Sequence, residues 1–170
     1  MKPRLHVVAI ATAALALGLA AGGQAPTQLA VHTDLRDLSA AADVTDGAWA
    51  DVLVIAPGVG GSGTTVKLAL SGLDAAHAGD RFGAHVHVGP CVAGSPATAG
   101  PHYNAGGGIS EDTEVWLDFV VGPNGKAVST THVGFAIASG AAQSIVIHAL
   151  PTDPATGTAG PRLACIPVPF

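Results

Sequence analysis

Between residues 48 and 168 the chain runs in short stretches where apolar or β-branched residues alternate with polar ones, most of them ending near glycine or proline. A period of two sends successive side chains to opposite faces of a strand, and frequent Gly/Pro punctuation leaves no room for long helices. Residues 48–56, 64–70, 82–88, 115–121, 126–137, 144–150 and 163–168 are the expected strands. Pro57-Gly58-Val59-Gly60-Gly61-Ser62-Gly63 and Gly122-Pro123-Asn124-Gly125 are the expected turns, and Ala75-Ala76-His77-Ala78 is the one place for a helical turn. Strands at this spacing predict an all-β, antiparallel sandwich or barrel. Residues 26–46, rich in Ala, Asp and Thr, read either as a linker or as a first strand over 28–32. Residues 89–113 form a long irregular stretch, and long loops inside compact domains usually carry function.

The N-terminus has a different composition. Lys2 and Arg4 precede an apolar stretch over 7–21, followed by small residues. A cationic start, a short apolar core and a small-residue exit describe a secretory signal, here 1–25. The stretch is shorter than the roughly 20 residues that span a bilayer. The main domain is therefore expected at 47–170, exported to the periplasm, cell envelope or medium, with no stable membrane insertion once the signal is removed. Loss of Lys2 and Arg4 takes the formal net charge from −5 to −7. An acidic chain without clustered cations is a poor partner for nucleic acid.

Cys91 and Cys165 are the only cysteines. They cannot build a thiolate zinc cluster; they either form one disulfide or remain buried thiols, and export favours the disulfide. Eight histidines carry more of the chemistry. His85-Val86-His87 lies in an expected strand, where side chains two apart share a face with Cα atoms roughly 6.5–7 Å apart. Two imidazoles so placed can meet one metal ion while Val86 turns into the core. His102 follows Gly100-Pro101, a rigid loop context, and His148 ends the apolar run Ser144-Ile145-Val146-Ile147. Arg162 is the only cation after Lys126.

Four segments, in order, resemble the copper/zinc superoxide dismutase family. Phe82-Gly83-Ala84-His85-Val86-His87 resembles its first copper-ligand strand. Ala99-Gly100-Pro101-His102-Tyr103-Asn104 resembles the loop of its bridging histidine. Ser144–His148 resembles the strand ending in the last copper ligand. Ala159-Gly160-Pro161-Arg162-Leu163-Ala164-Cys165 resembles the segment holding the active-site arginine and the second disulfide cysteine. The resemblance implies a Greek-key β-barrel or sandwich of about eight strands, copper on His85, His87, His102 and His148, and a Cys91–Cys165 disulfide. It also implies superoxide as substrate, Arg162 as the group that receives it, and His102 as both ligand and proton carrier.

One departure is informative. Zinc-bearing members carry two more histidines and an aspartate after the bridging histidine, whereas no histidine lies between Tyr103 and Thr131 here. Carboxylates with a single histidine are a poor zinc set. The sequence thus resembles a copper-only, zinc-less, exported member of the family. Glu111 or Glu114 is expected to orient a ligand imidazole, and Asp153 lies near the place of the aspartate that normally links the two metal sites. The rival reading is a non-catalytic β-barrel that binds or buffers copper. His32, His77 and His132 receive no role, Trp49 and Trp116 are expected in the core or a strand, and oligomeric state has no sequence signal.

Overall fold

The computed structural model describes residues 25–58 and 61–170, together with the backbone of 6–8. The signal read over 1–25 lies almost wholly outside these. The strands are β1 (His6–Val8), β2 (Thr27–Asp34), β3 (Arg36–Asp37), β4 (Trp49–Ala56), β5 (Thr64–Ser71), β6 (Arg81–Phe82), β7 (Ala84–His87), β8 (Phe119–Val120), β9 (Lys126–Val133), β10 (Ser144–His148) and β11 (Arg162–Pro167). No α-helix occurs among the described residues; Ala75–His77 and Pro96–Ala99 are 3-10 turns. The first is the turn expected from the sequence, and the Asp74 carboxylate caps it by accepting from the Ala76 N–H at 2.9 Å.

One sheet has the order β1-β2-β4-β5-β9 and the other β3-β11-β10-β7, with β6 and β8 forming a small third pair. All pairings are antiparallel. The chain crosses between the two large sheets after β2, β3, β5, β7 and β9, as in Greek-key sandwiches. The sheets do not close into a barrel, so the sandwich is the form the chain takes. Residues 26–46 supply β2 and β3, and β2 pairs with β4 along its whole length.

The alternation read from the sequence decides what lies between the sheets. Val52, Val54, Val66, Leu68 and Leu70 face Ala84, Val86, Ile145, Ile147 and Ile166 in one buried cluster. The intervening residues of β7 and β10 point the other way, so His85, His87 and His148 share the outer face of the second sheet with Val146.

Some expected strands are shorter or broken. The 82–88 run splits at Gly83, which lies so close to the 150–159 segment that an added Cβ would be 2.7 Å from the Ala159 Cβ; before it β6 pairs with β8, and after it β7 pairs with β10. The 115–121 run buries Val115, Leu117, Phe119 and Val121 in strict alternation, yet only Phe119–Val120 pairs in a ladder. The rest docks by single bridges such as His85 to Trp116. The 126–137 and 144–150 runs end early, at Val133 and His148.

Candidate metal centre

The irregular stretch that follows β7 returns along the edge of that strand. Gly89 starts the return, and a Cβ there would lie 2.1 Å from the Thr98 carbonyl, so only glycine allows the loop to fold this closely on itself. The loop is then fixed to β7 by backbone hydrogen bonds, Gly89 N to Ala99 O (2.8 Å) and Tyr103 N to Val86 O (2.8 Å). His102 is thereby placed opposite His87. The Cys91–Cys165 disulfide, with Cα atoms 5.7 Å apart, ties the same loop to β11.

This packing brings together His85, His87, His102 and His148, each offering one ligand atom, with all four atoms within 4.8 Å of one another. Oxygen acceptors fix the ring orientations. The Gly100 carbonyl accepts from His87 Nδ1–H at 3.0 Å, the Gly160 carbonyl from His148 Nδ1–H at 3.2 Å, and the Glu114 carboxylate from His102 Nδ1–H at 2.8 Å. Each bond leaves the Nε2 of its ring for the cluster, and His87 Nε2 lies 3.4 Å from His148 Nε2. His85 is reversed: Nε2 lies 2.7 Å from Thr152 Oγ1, and Nδ1 is buried without a hydrogen-bond partner. A buried orphan nitrogen in a ring of three more bare nitrogens is the chemistry of a metal site, because burial of an unpaired polar atom is otherwise costly.

Burial, aided by the neighbouring His102, pushes the pKa of His85 down to about 2. Burial likewise lowers His87 to about 3 and His148 to about 4, against the opposing hydrogen bonds to Gly100 and Gly160. These three rings are therefore neutral at pH 7, the form that ligates. A set of four imidazoles suits copper, zinc or iron.

The cluster opens on a cleft of about 600 Å³ lined by His102, His148, Glu114, Asn104, Ile109 and Arg162, among others. Arg162 opens β11 directly opposite His148 in the β10–β11 register. Its Nη1 donates to the Pro96 carbonyl and its Nη2 to the Gly100 carbonyl, both at 2.6 Å. Gly100, at a φ of 68°, holds a left-handed conformation natural to glycine, and its carbonyl serves both His87 and Arg162.

Of the three acidic residues expected near the site, only Glu114 touches one of the four histidines. It is 4% exposed and also accepts from the Trp116 indole N–H at 2.9 Å and the Asn104 amide at 3.3 Å. Glu111 is exposed on the loop. Asp153 is an exposed turn residue whose carboxylate accepts from the Ala155 N–H at 2.8 Å; its neighbour Thr152, four residues past His148, takes the inward position instead. Thr152, Asp118 and Trp116 also reach the site; the sequence points to a core or strand position for Trp116 and to no site role for the other two. Trp116 was legible, since alternation puts residues 114 and 116 on one face. Asp118 and Thr152, 34 residues apart, carried no joint signal.

No family model and no curated protein matches the chain. Solved structures do. The clock protein EA4 superposes with a TM-score of 0.56 at 16% identity, over 88% of this chain and 96% of that one. A double mutant of a SOD-like protein from Bacillus subtilis superposes with a TM-score of 0.54 at 18% identity, over 80% of this chain and 95% of that one. At these identities the likeness is one of fold.

Proposed function

We propose that the protein is an exported copper-dependent superoxide dismutase that works without zinc, converting two superoxide ions and two protons to dioxygen and hydrogen peroxide. The carrying observation is the ring of four histidine nitrogens, one of them a buried orphan, opening on a cleft that contains an arginine. Bound copper would supply one-electron redox chemistry, which neutral imidazoles support in both copper oxidation states.

The chain's own residues account for the rest. Superoxide is a small anion approaching a chain whose net charge is −7 after signal removal, so the field at the cleft must be locally reversed. Arg162 is the only cation among the described residues lining the cleft. Its two carbonyl contacts leave further guanidinium N–H groups for an anion, and hold the fork in one orientation. Glu114 fixes the proton of His102 on Nδ1, which makes Nε2 the atom that gives or takes a proton on the cleft side. With no zinc ion on Nδ1, the Glu114 carboxylate orients the ring from there.

The test is to load metal-free protein with copper, desalt it, and measure metal content and superoxide decay on one sample. About one copper per chain, little zinc and catalysed decay are expected. Copper retained without decay would replace the proposal with a copper-buffering module, and failure to retain copper would remove both.

A further inference from the structure

His85 is the one ligand whose Nδ1, rather than Nε2, turns to the cluster, and the residues behind it explain why. Its Nε2 lies 2.7 Å from Thr152 Oγ1. Thr152 in turn is held twice by Asp118: its backbone N–H donates to Asp118 Oδ2 at 2.9 Å and its hydroxyl to Oδ1 at 2.5 Å. The direction of this chain follows from what each group can do. A carboxylate only accepts, so the single hydroxyl proton of Thr152 goes to Asp118. The Thr152 oxygen is then left to accept, and its donor is His85 Nε2–H. A neutral imidazole with its proton on Nε2 has a bare Nδ1, and that atom is buried and unpartnered.

We propose that Thr152 and Asp118 form a positioning relay that fixes His85 as the Nε2–H tautomer and so presents a bare Nδ1 to the metal. The relay deepens the copper-site reading and rests on it for its purpose, although the tautomer itself is a property of the metal-free protein. Asp118 reaches the site from the segment before β8, and Thr152 from the turn after β10. The relay therefore ties that segment and the last ligand strand to the first ligand strand.

The polarity of the relay gives it a specific test. Asp118 Oδ1 also accepts weakly from the Ala84 N–H at 3.4 Å; in Asp118→Asn the amide oxygen keeps the shorter bond, to the Thr152 N–H at 2.9 Å. The NH₂ group then faces the Thr152 hydroxyl and turns its proton toward His85. The relay is reversed, and His85 is driven to the Nδ1–H tautomer. Thr152→Val removes the hydroxyl while keeping the β-branched shape, and Thr152→Ser restores it.

The experiment is long-range ¹H–¹⁵N correlation of the imidazoles in metal-free protein, followed by copper affinity from chelator competition. Wild type and Thr152→Ser should show His85 as Nε2–H. Asp118→Asn should show Nδ1–H, and Thr152→Val should lose the pure Nε2–H pattern. His87 and His148, held by the Gly100 and Gly160 carbonyls, should keep Nδ1–H throughout and so report an intact fold in the same spectra. Copper affinity should fall about 10- to 100-fold in Thr152→Val and recover in Thr152→Ser, the usual scale for groups behind a metal ligand. If His85 stays Nε2–H in both Thr152→Val and Asp118→Asn with wild-type copper affinity, the relay is overturned while the copper reading stands. If the tautomer responds as described but wild type takes no copper, the relay stands and the copper reading fails.

Discussion

The proposed function gives Arg162 and Glu114 separate roles at the cleft, and each can be replaced without touching the core cluster. Arg162 contacts backbone carbonyls rather than ligand side chains, so Arg162→Ala should keep its copper. A hydrogen bond to a charged partner is worth about 1.5–3 kcal/mol, so the superoxide rate should drop about 10- to 100-fold. Its dependence on ionic strength should flatten as well, since the steering charge is gone. An unchanged rate at low salt would take the role away from Arg162. Glu114→Gln keeps the side-chain shape but weakens the acceptor that fixes His102 and receives the Trp116 indole. It should lower copper affinity by about 10-fold or more, read by chelator competition; unaltered copper retention and rate together would show that Glu114 is dispensable.

Elements, not single residues, make the site rigid. The loop from Gly89 to His102 carries the Gly100 carbonyl that serves both His87 and Arg162, and the Cys91–Cys165 disulfide anchors it to β11. The bridge closes a long loop, with a sequence separation of 74. Replacing both cysteines by alanine should therefore cost about 4 kcal/mol, seen as a lower urea midpoint. Copper affinity should fall with it because the Gly100 carbonyl loses its anchor; full retention of copper would show that backbone hydrogen bonds hold the loop unaided. At this scale the sequence was largely readable. Alternation in 84–87 and 144–148 separates Val86, Ile145 and Ile147, which face the core, from His85, His87 and His148, which do not. Glycine-proline punctuation located the turns. The breaks were not readable, since at Gly83 the strand changes partner from β8 to β10, a matter of long-range pairing that no local pattern encodes. The relay of Asp118 and Thr152 escaped for the same reason, and so did the choice of Glu114 over Glu111 and Asp153, which depends on how the loop folds along β7.

For the molecule as a whole, the buried histidines couple the site to stability. In the unfolded chain His85, His87 and His148 take up protons at a pKa near 6.5, whereas in the folded protein they do so only at about 2, 3 and 4, because burial opposes their charge. Between those values the unfolded chain binds more protons. Their contribution to the stability of the metal-free protein is therefore complete above pH 6.5 and is lost progressively as pH falls below it, by up to about 1.4 kcal/mol per pH unit for each site. Urea unfolding of metal-free protein should show a clearly lower midpoint at pH 5 than at pH 7.5. Equal midpoints would mean that the three rings accept protons in the folded state. The sandwich thus holds four imidazoles in one place, three of them uncharged through burial, at a cost in stability that a bound metal would offset. The central claim, that this centre dismutes superoxide through copper, is tested most directly by stopped-flow superoxide decay measured against copper bound per chain. The account predicts a rate that rises in proportion to bound copper and levels off at one per chain. A rate that stays at the metal-free value while copper fills the site would contradict it.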